Sequence, residues 1–533
     1  MIEININPDV LVIGGGMAGI MAAQRIRKQG YSLSILDQGQ GFEPDACYKM
    51  ESSSYYSQTI EELKKDPSIT WIKEAQISKV EGRYGDFKVY FKSGTKVEKK
   101  NFGAVVIATP YSYVPVFDEY GVEPDHNIFS VNHLSKLLSE NKAPKGTCVF
   151  LTTFKEETNP VSFKNIILNA IELGNSGSNV YIFVKNVKAA SPGLEKLILH
   201  AKENGIVIIK SDKPPQLIVE NKCPNVIFYD PLIKKDIQIS ADYVIIEDKI
   251  IPNEKNQEIS DLFGIHTDSN GFLQTNNVRR IPVFTNRKGI FVVGSAAGIK
   301  PLPYILTDAI DASCEIQGLI KEGGKVEIEE TISIDQEKCV RCLTCYRVCP
   351  HGAIYWDVDR VAISSLVCEG CGICSAECPM NAIQIKEYSD DKIKGQLKDI
   401  LKSKGDGPTI IGFCCKNSAF EAVKGAKDLG VDLPEGFKVI KVPCAGKIDV
   451  DYVLEALVKG ADGVIIGACY KDNCKSEKGN IFASYRIENL KKSLAQIGIN
   501  PNRVELLHVA SNMPREFCLK LKELTEKITD ITS

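Results

Sequence analysis

Eight cysteines in this 533-residue chain repeat one spacing, C-x2-C-x2-C-x3-C-P. The first run is Cys339, Cys342, Cys345 and Cys349 with Pro350. The second is Cys368, Cys371, Cys374 and Cys378 with Pro379. Short x2 gaps let one tight loop present three thiolates to a single cube, so two runs predict two 4Fe–4S clusters. The fourth cysteine of each run is expected to cross to the other cluster. One cluster then takes Cys339, Cys342, Cys345 and Cys378, and the other Cys368, Cys371, Cys374 and Cys349. The chemistry of such a pair is one-electron transfer. Zinc also takes four cysteines, so a pair of structural zinc sites is the competing reading, although the x2-x2-x3-Pro spacing fits it poorly.

A second cysteine group lies further along. Segments 409–413, 438–442, 463–467 and 504–509 read as strands and 419–429 and 450–459 as helices, an alternation that implies a parallel sheet. Cys414 and Cys415 end the first strand, Cys444 follows the second, and Cys469 and Cys474 follow the third. Ligand sites in open parallel sheets form beyond the carboxyl ends of the strands. Four thiolates can converge there, enough for an iron–sulfur cluster, with a structural zinc site as the alternative.

The N-terminal segment 10–19 reads VLVIGGGMAG. An apolar strand runs into Gly14, Gly16 and Gly19, the spacing that gives a tight turn, close backbone approach to a pyrophosphate and close helix packing. A helix over 20–30 and a second strand over 32–36 follow, and the strand ends at Asp37, placed to hold a ribose hydroxyl. This order predicts a dinucleotide site.

Hydrophobic residues make up 44% of the chain and charged residues 25%, ordinary proportions for a globular protein. A net charge of -3 gives no argument for nucleic acid or an anionic membrane. No stretch reaches the length of a membrane span, and no secretory leader is evident, so the eighteen cysteines read as ligands in a reducing cytoplasm. Membrane contact is expected only through partners. Cys47, Cys148, Cys223 and Cys314 are scattered and are read as buried small hydrophobes.

Several segments resemble known families. Residues 332–388 resemble bacterial two-cluster ferredoxins. The fingerprint, the 104–110 segment AVVIATP with Thr109, Gly271-Phe272, Thr285 and the 289–298 segment GIFVVGSAAG resemble the flavin domain of two-dinucleotide flavoproteins, which implies FAD. In that family the later strand meets the ribityl and phosphate groups and commonly ends in Gly-Asp; here the pair is Gly294-Ser295. Pro110 replaces the usual glycine of Ala-Thr-Gly. Within 145–215 strand-helix-strand character returns, but TTFKEETNPVSF carries no glycine fingerprint, so the nicotinamide site is expected to be lost. No C-x-x-C lies beside the flavin for thiol chemistry.

Residues 408–526 resemble the delta-subunit module of methyl-viologen-reducing hydrogenase, which implies a 2Fe–2S cluster on Cys415, Cys444, Cys469 and Cys474. Val442-Pro443-Cys444-Ala445-Gly446, Gly479-Asn480, Arg486 and Arg503 carry that likeness. The family's common Cys-x-x-Cys is Cys415 and Ser418 here, which leaves Cys414 a spare, and its Cys-His is Cys474-Lys475.

The order of modules resembles the A subunit of heterodisulfide reductase and the B subunit of the quinone-interacting membrane-bound oxidoreductase complex. The expected fold is multidomain α/β. A two-dinucleotide-type FAD domain spans 1–325, with a degenerate nucleotide subdomain at 145–250. A two-cluster ferredoxin insert of the α+β class spans 326–388, a linker 389–407, and a parallel α/β domain 408–533. The resemblance implies an oxidoreductase subunit that passes electrons between FAD, two 4Fe–4S clusters, one 2Fe–2S cluster and partner proteins. Those partners are redox subunits of the heterodisulfide reductase, hydrogenase, formate dehydrogenase or quinone-interacting kind. It leaves donor, acceptor, oligomeric state and flavin-based bifurcation open. The alternative is an NAD(P)H-dependent iron–sulfur flavoprotein resembling the glutamate synthase small subunit.

Overall fold

The computed structural model describes residues 2–532 apart from 38–41, 188, 221–222, 275–276, 278, 321–323 and 403–406. Val10–Ile13 is the central strand of a five-stranded parallel sheet. The order is Ile290–Val292, Ala104–Ile107, Val10–Ile13, Leu33–Leu36 and Ile69–Ile72. The three central strands, four residues each, are buried throughout, as expected for parallel strands covered on both faces. The helix Met17–Lys28 starts inside the fingerprint, with Gly19 in its first turn, and packs on Leu302–Leu319. Ile2–Asn5 pairs with Lys325–Ile328, so the first domain closes on itself a few residues beyond the expected boundary at 325.

The middle segment forms a second parallel sheet, ordered Ile128–Ser130, Tyr243–Ile246, Thr147–Leu151, Asn179–Val184 and Val207–Lys210. Helices Pro160–Asn175 and Leu194–Glu203 connect its strands. The ferredoxin segment is small. Ile332–Ile334 pairs antiparallel with Ile383–Ile385, a hairpin joins Ile354–Asp357 to Arg360–Ile363, and Thr344–Val348 and Ile373–Ala376 are its short helices.

The expected linker at 389–407 is for the most part a helix, Asp390–Leu401. Its charged composition hides an apolar stripe. Ile393, Leu397 and Leu401 are buried in the core of the C-terminal domain, and Ser389 caps its start. That domain has a four-stranded parallel sheet, ordered Phe437–Val442, Ile410–Cys415, Gly463–Ala468 and Val504–His508. Ala419–Asp428 and Pro514–Thr532 cover one face. Asp390–Leu401, Val450–Val458 and Gly479–Gln496 cover the other. Among the described residues no helix is long and apolar enough to cross a membrane.

Candidate redox centres

The two cysteine runs fold as matching loops. Arg341 and Leu343 have φ of 58° and 60°, and their counterparts Gly370 and Gly372 have 62° and 81°. Left-handed backbone at these positions turns three thiols inward, and two non-glycine residues adopt it at some strain. Past each fourth cysteine, the amides of Ala353 and Ala382 donate to the sulfurs of Cys349 and Cys378 at 3.4 Å. Gly370 does the same to Cys368 at 3.4 Å. The sorting is crossed: Cys339, Cys342, Cys345 and Cys378 line one cavity. Cys374 lies within electrostatic reach of Cys371, Cys349 and Cys368, and also of Cys345 from the other set. Burial pushes Cys345 up to about 11 and Cys371 up to about 12, so these thiols would need a bound cation to ionise near neutral pH.

Cys415, Cys444, Cys469 and Cys474 are all buried and form one nest of thiols at the carboxyl edge of the C-terminal sheet. Cys415 and Cys469 sulfurs are 3.8 Å apart, and Cys444 and Cys474 sulfurs 4.0 Å. Among the described residues no three His, Cys, Asp or Glu side chains close around one ion-sized point. Strand alternation separates the neighbouring cysteines. Cys414 points with Ile410 into the apolar layer under Phe517 and Leu521, and Cys415 points to the nest. Hydrogen bonds from the Cys415 and Cys474 thiols drive Cys469 far below the usual thiol range. Asn480 holds the loop by donating to the Cys469 and Tyr470 carbonyls at 3.1 and 2.6 Å. Arg486 donates to the Gly446 carbonyl at 2.6 Å and pairs with Glu377 at 3.1 Å, beside Cys378.

The nest abuts the second ferredoxin loop. Cys371 packs directly against the four thiols. Glycines permit the approach: a Cβ on Gly372 would lie 2.7 Å from Lys447 Cβ, and one on Gly446 2.6 Å from Ile373 Cγ1. The N-terminal domain also reaches this point. Asn277 donates to the Cys474 carbonyl at 2.9 Å, and Arg280 and Glu477 form a buried ion pair.

The fingerprint residues enclose a cavity of about 310 Å³, lined by Gly14, Gly16, Asp37, Asp45, Thr109 and Tyr111 among others. Gly14 has φ +114°, and a Cβ there would lie 2.1 Å from the Ala108 carbonyl oxygen. A Cβ on Gly19 would lie 2.0 Å from the Gly14 carbonyl oxygen, so both glycines serve packing. At Gly16 the nearest atom to such a Cβ is 3.7 Å away; this is the open cradle a pyrophosphate needs. Asp37 is buried at the end of its strand, and Thr109 donates to Asn256 at 2.9 Å. Gly294 has φ +59° and donates its amide to Asp308 at 2.9 Å; Ser295 is buried beside it. The residues present fit a dinucleotide cofactor.

Comparison with known proteins agrees with this geometry. Residues 8–149 match the pyridine nucleotide-disulphide oxidoreductase family, 332–355 the 4Fe-4S binding domain, and 410–532 the methyl-viologen-reducing hydrogenase delta subunit. The iron-sulfur D subunit of the F420-non-reducing hydrogenase of Archaeoglobus profundus is 34% identical over 121 residues, covering 23% of this chain and 88% of that protein. The A subunit of the ferredoxin:CoB-CoM heterodisulfide reductase of Methanosarcina mazei is 23% identical, covering 80% of this chain and 57% of that protein. Its counterpart in Methanosarcina acetivorans is 22% identical over 93% of this chain and 79% of its own length. The chain is a homologue of the heterodisulfide reductase A subunit with a C-terminal hydrogenase delta-subunit module. It is an iron–sulfur flavoprotein of the oxidoreductase class that spans little more than half the length of the Methanosarcina mazei protein.

In this homologue the loop after Thr147–Leu151 carries no glycine fingerprint, and two of the chain's own carboxylates reach it. Glu247 accepts from the Thr153 amide and the Thr158 hydroxyl, both at 2.8 Å. Glu119 accepts from the Thr153 hydroxyl at 2.7 Å and the Phe154 amide at 3.1 Å. Asn159 caps the helix that follows.

Two sequence expectations need correction. Cys223 and Cys314 are exposed, Cys223 at the start of its strand and Cys314 on the outer face of its helix. Neither is a core residue. Cys47 and Cys148 are buried as expected, and burial pushes both thiols up. Sequence reasoning also missed Asp45 and the packing role of Gly479, whose Cβ would lie 2.2 Å from the Cys444 sulfur. The Gly479-Asn480 pair was visible, but nothing local says what it touches.

Proposed function

We propose that this chain is the electron-transfer subunit of an oxidoreductase complex. FAD occupies the N-terminal cavity, 4Fe–4S clusters the two crossed cysteine sets, and a 2Fe–2S cluster the Cys415, Cys444, Cys469 and Cys474 nest. One observation carries the reading: Cys371 packs against that nest, so two cysteine sites share a wall. When bound, FAD exchanges electrons in pairs and the clusters take them singly. The chain's own residues fix the geometry. Gly372 and Gly446 let the two loops touch, and Asn480 and Arg486 hold the loops after Cys469 and Cys444. Asn277 and Arg280 tie the flavin domain to the Cys474 loop.

The partners are other redox subunits of the heterodisulfide reductase, hydrogenase, formate dehydrogenase or quinone-interacting kind, in the cytoplasm. The names of the relatives support the first two. Glu119 and Glu247, which reach the central loop from other elements, speak against the NAD(P)H-dependent alternative.

The test uses the full chain purified without oxygen. About eight iron atoms in the ferredoxin cysteines and about two in the C-terminal nest are expected. Neither NADH nor NADPH should reduce the flavin at a useful rate. A redox partner or a strong artificial donor should do so, and Cys349→Ser should slow that reduction while leaving FAD bound. Fast bleaching by NADH or NADPH alone would return the glutamate-synthase-like reading.

A further inference from the structure

Related flavoproteins end the later strand in Gly-Asp, and that strand end meets the ribityl and phosphate groups. This chain has Gly294-Ser295 instead. The structure brings a carboxylate beside Ser295 from far away in sequence. Asp45, in the segment after the second strand, is 5% exposed and lines the cavity formed by Gly14, Gly16 and Thr109. The Ser295 hydroxyl donates to its Oδ2 at 3.3 Å, and the Tyr111 amide donates to its Oδ1 at 3.1 Å. The same Oδ2 is the atom closest to a Cβ built on Gly16, at 3.7 Å. One carboxylate thus touches the later-strand turn and faces the open glycine of the fingerprint.

We propose that Asp45 is a flavin-binding residue that takes the place of the missing aspartate, accepting a hydrogen bond from the ribityl chain while Ser295 positions it. A buried carboxyl normally has a charged partner or a full set of donors. Here the groups acting on Asp45 are burial first, then the Tyr111 amide, the Ser295 hydroxyl and its own amide, and none is a cation. Burial raises it to about 6, which marks a group whose ionised form lacks solvation until another donor arrives. A ribityl hydroxyl is such a donor. A position required only for packing would be served by an apolar side chain. The inference rests on the FAD reading of this cavity.

The experiment measures FAD affinity by quenching of flavin fluorescence on the full chain freed of flavin. Iron per chain is followed as a check on folding. Asp45→Asn should weaken binding about tenfold to a hundredfold, the range for losing one hydrogen bond to a charged group. The Asp45→Asn, Ser295→Asp double variant should recover most of that loss, because the carboxylate returns to the later-strand turn. Asp45→Asn with affinity within about twofold of the parent overturns the proposal, since a lost charged hydrogen bond costs more than that. So does a loss of flavin accompanied by loss of iron, which would assign Asp45 to folding, or a double variant no tighter than the single. Gly16→Val separates the levels. If that variant keeps full flavin, the FAD reading itself fails; if it loses flavin while Asp45→Asn keeps it, only the role of Asp45 falls.

Discussion

Gly479→Ala puts a single methyl group into the wall of the C-terminal nest. Its Cβ would lie 2.2 Å from the Cys444 sulfur and 3.5 Å from both the Cys474 sulfur and the Gly446 amide nitrogen. Carbon–sulfur contacts below 3.0 Å are not tolerated, so Cys444 must retreat by at least 0.8 Å (3.0 minus 2.2) or the helix start must shift. Neither is easy: Gly479 opens the helix Gly479–Gln496, and a Cβ on Gly446 would already sit 3.0 Å from Gly479 Cα. Metal–ligand distances hold to within about 0.2 Å, so the displacement is roughly four times what a ligand sulfur allows. Overpacking adds a stability loss of about 1–3 kcal/mol. Iron, sulfide and zinc per chain, with the low-temperature electron paramagnetic resonance spectrum, are the readouts. The variant should lose the C-terminal centre and keep the ferredoxin iron. Gly318→Ala, at a helical glycine with nothing within 4 Å of the added atom, is the control and should change neither. A Gly479→Ala chain with full metal content and an unaltered spectrum would refute the reasoning.

Three further outcomes follow from the geometry. Cys415→Ser should empty the C-terminal nest, whereas Cys414→Ser should retain its metal and lose stability, because Cys414 faces the apolar layer; metal analysis of the two variants decides. Glu247 is raised from 4.5 to about 7, chiefly by burial. Its folded form keeps a proton that the unfolded chain has released, so its contribution to stability falls as pH rises from about 4.5 to 7. Relative to the parent, Glu247→Gln should gain roughly 2 kcal/mol between about pH 5.5 and 8 in urea titrations, and a constant difference would contradict the buried assignment. Arg280→Ala leaves Glu477 buried without its partner and should cost about 3–5 kcal/mol at the contact between the N-terminal domain and the Cys474 loop, seen as faster amide exchange in both segments.

The sequence by itself determined whatever is local. Each ferredoxin run encodes its loop within eleven residues, so spacing alone defined the thiol sets, and the crossing followed from the repeat. The first fingerprint was equally legible, because strand, turn and helix are contiguous and Gly14, Gly16 and Gly19 have backbone roles fixed by their spacing. The alternation of strands and helices after residue 408 marked a sheet whose carboxyl edge gathers Cys415, Cys444, Cys469 and Cys474. Tertiary structure decided what contacts between distant segments decide. Asp45 meets Ser295 across 250 residues. Glu119 and Glu247 reach the central loop from elements distant in sequence. The helix Asp390–Leu401 reads as a charged linker until a partner core receives Ile393, Leu397 and Leu401. The shared wall of Cys371 and the C-terminal thiols depends on two domains packing through Gly372 and Gly446. Side-chain spacing fixes what one loop can hold; which loops face each other is set by the burial of surfaces that no single segment contains.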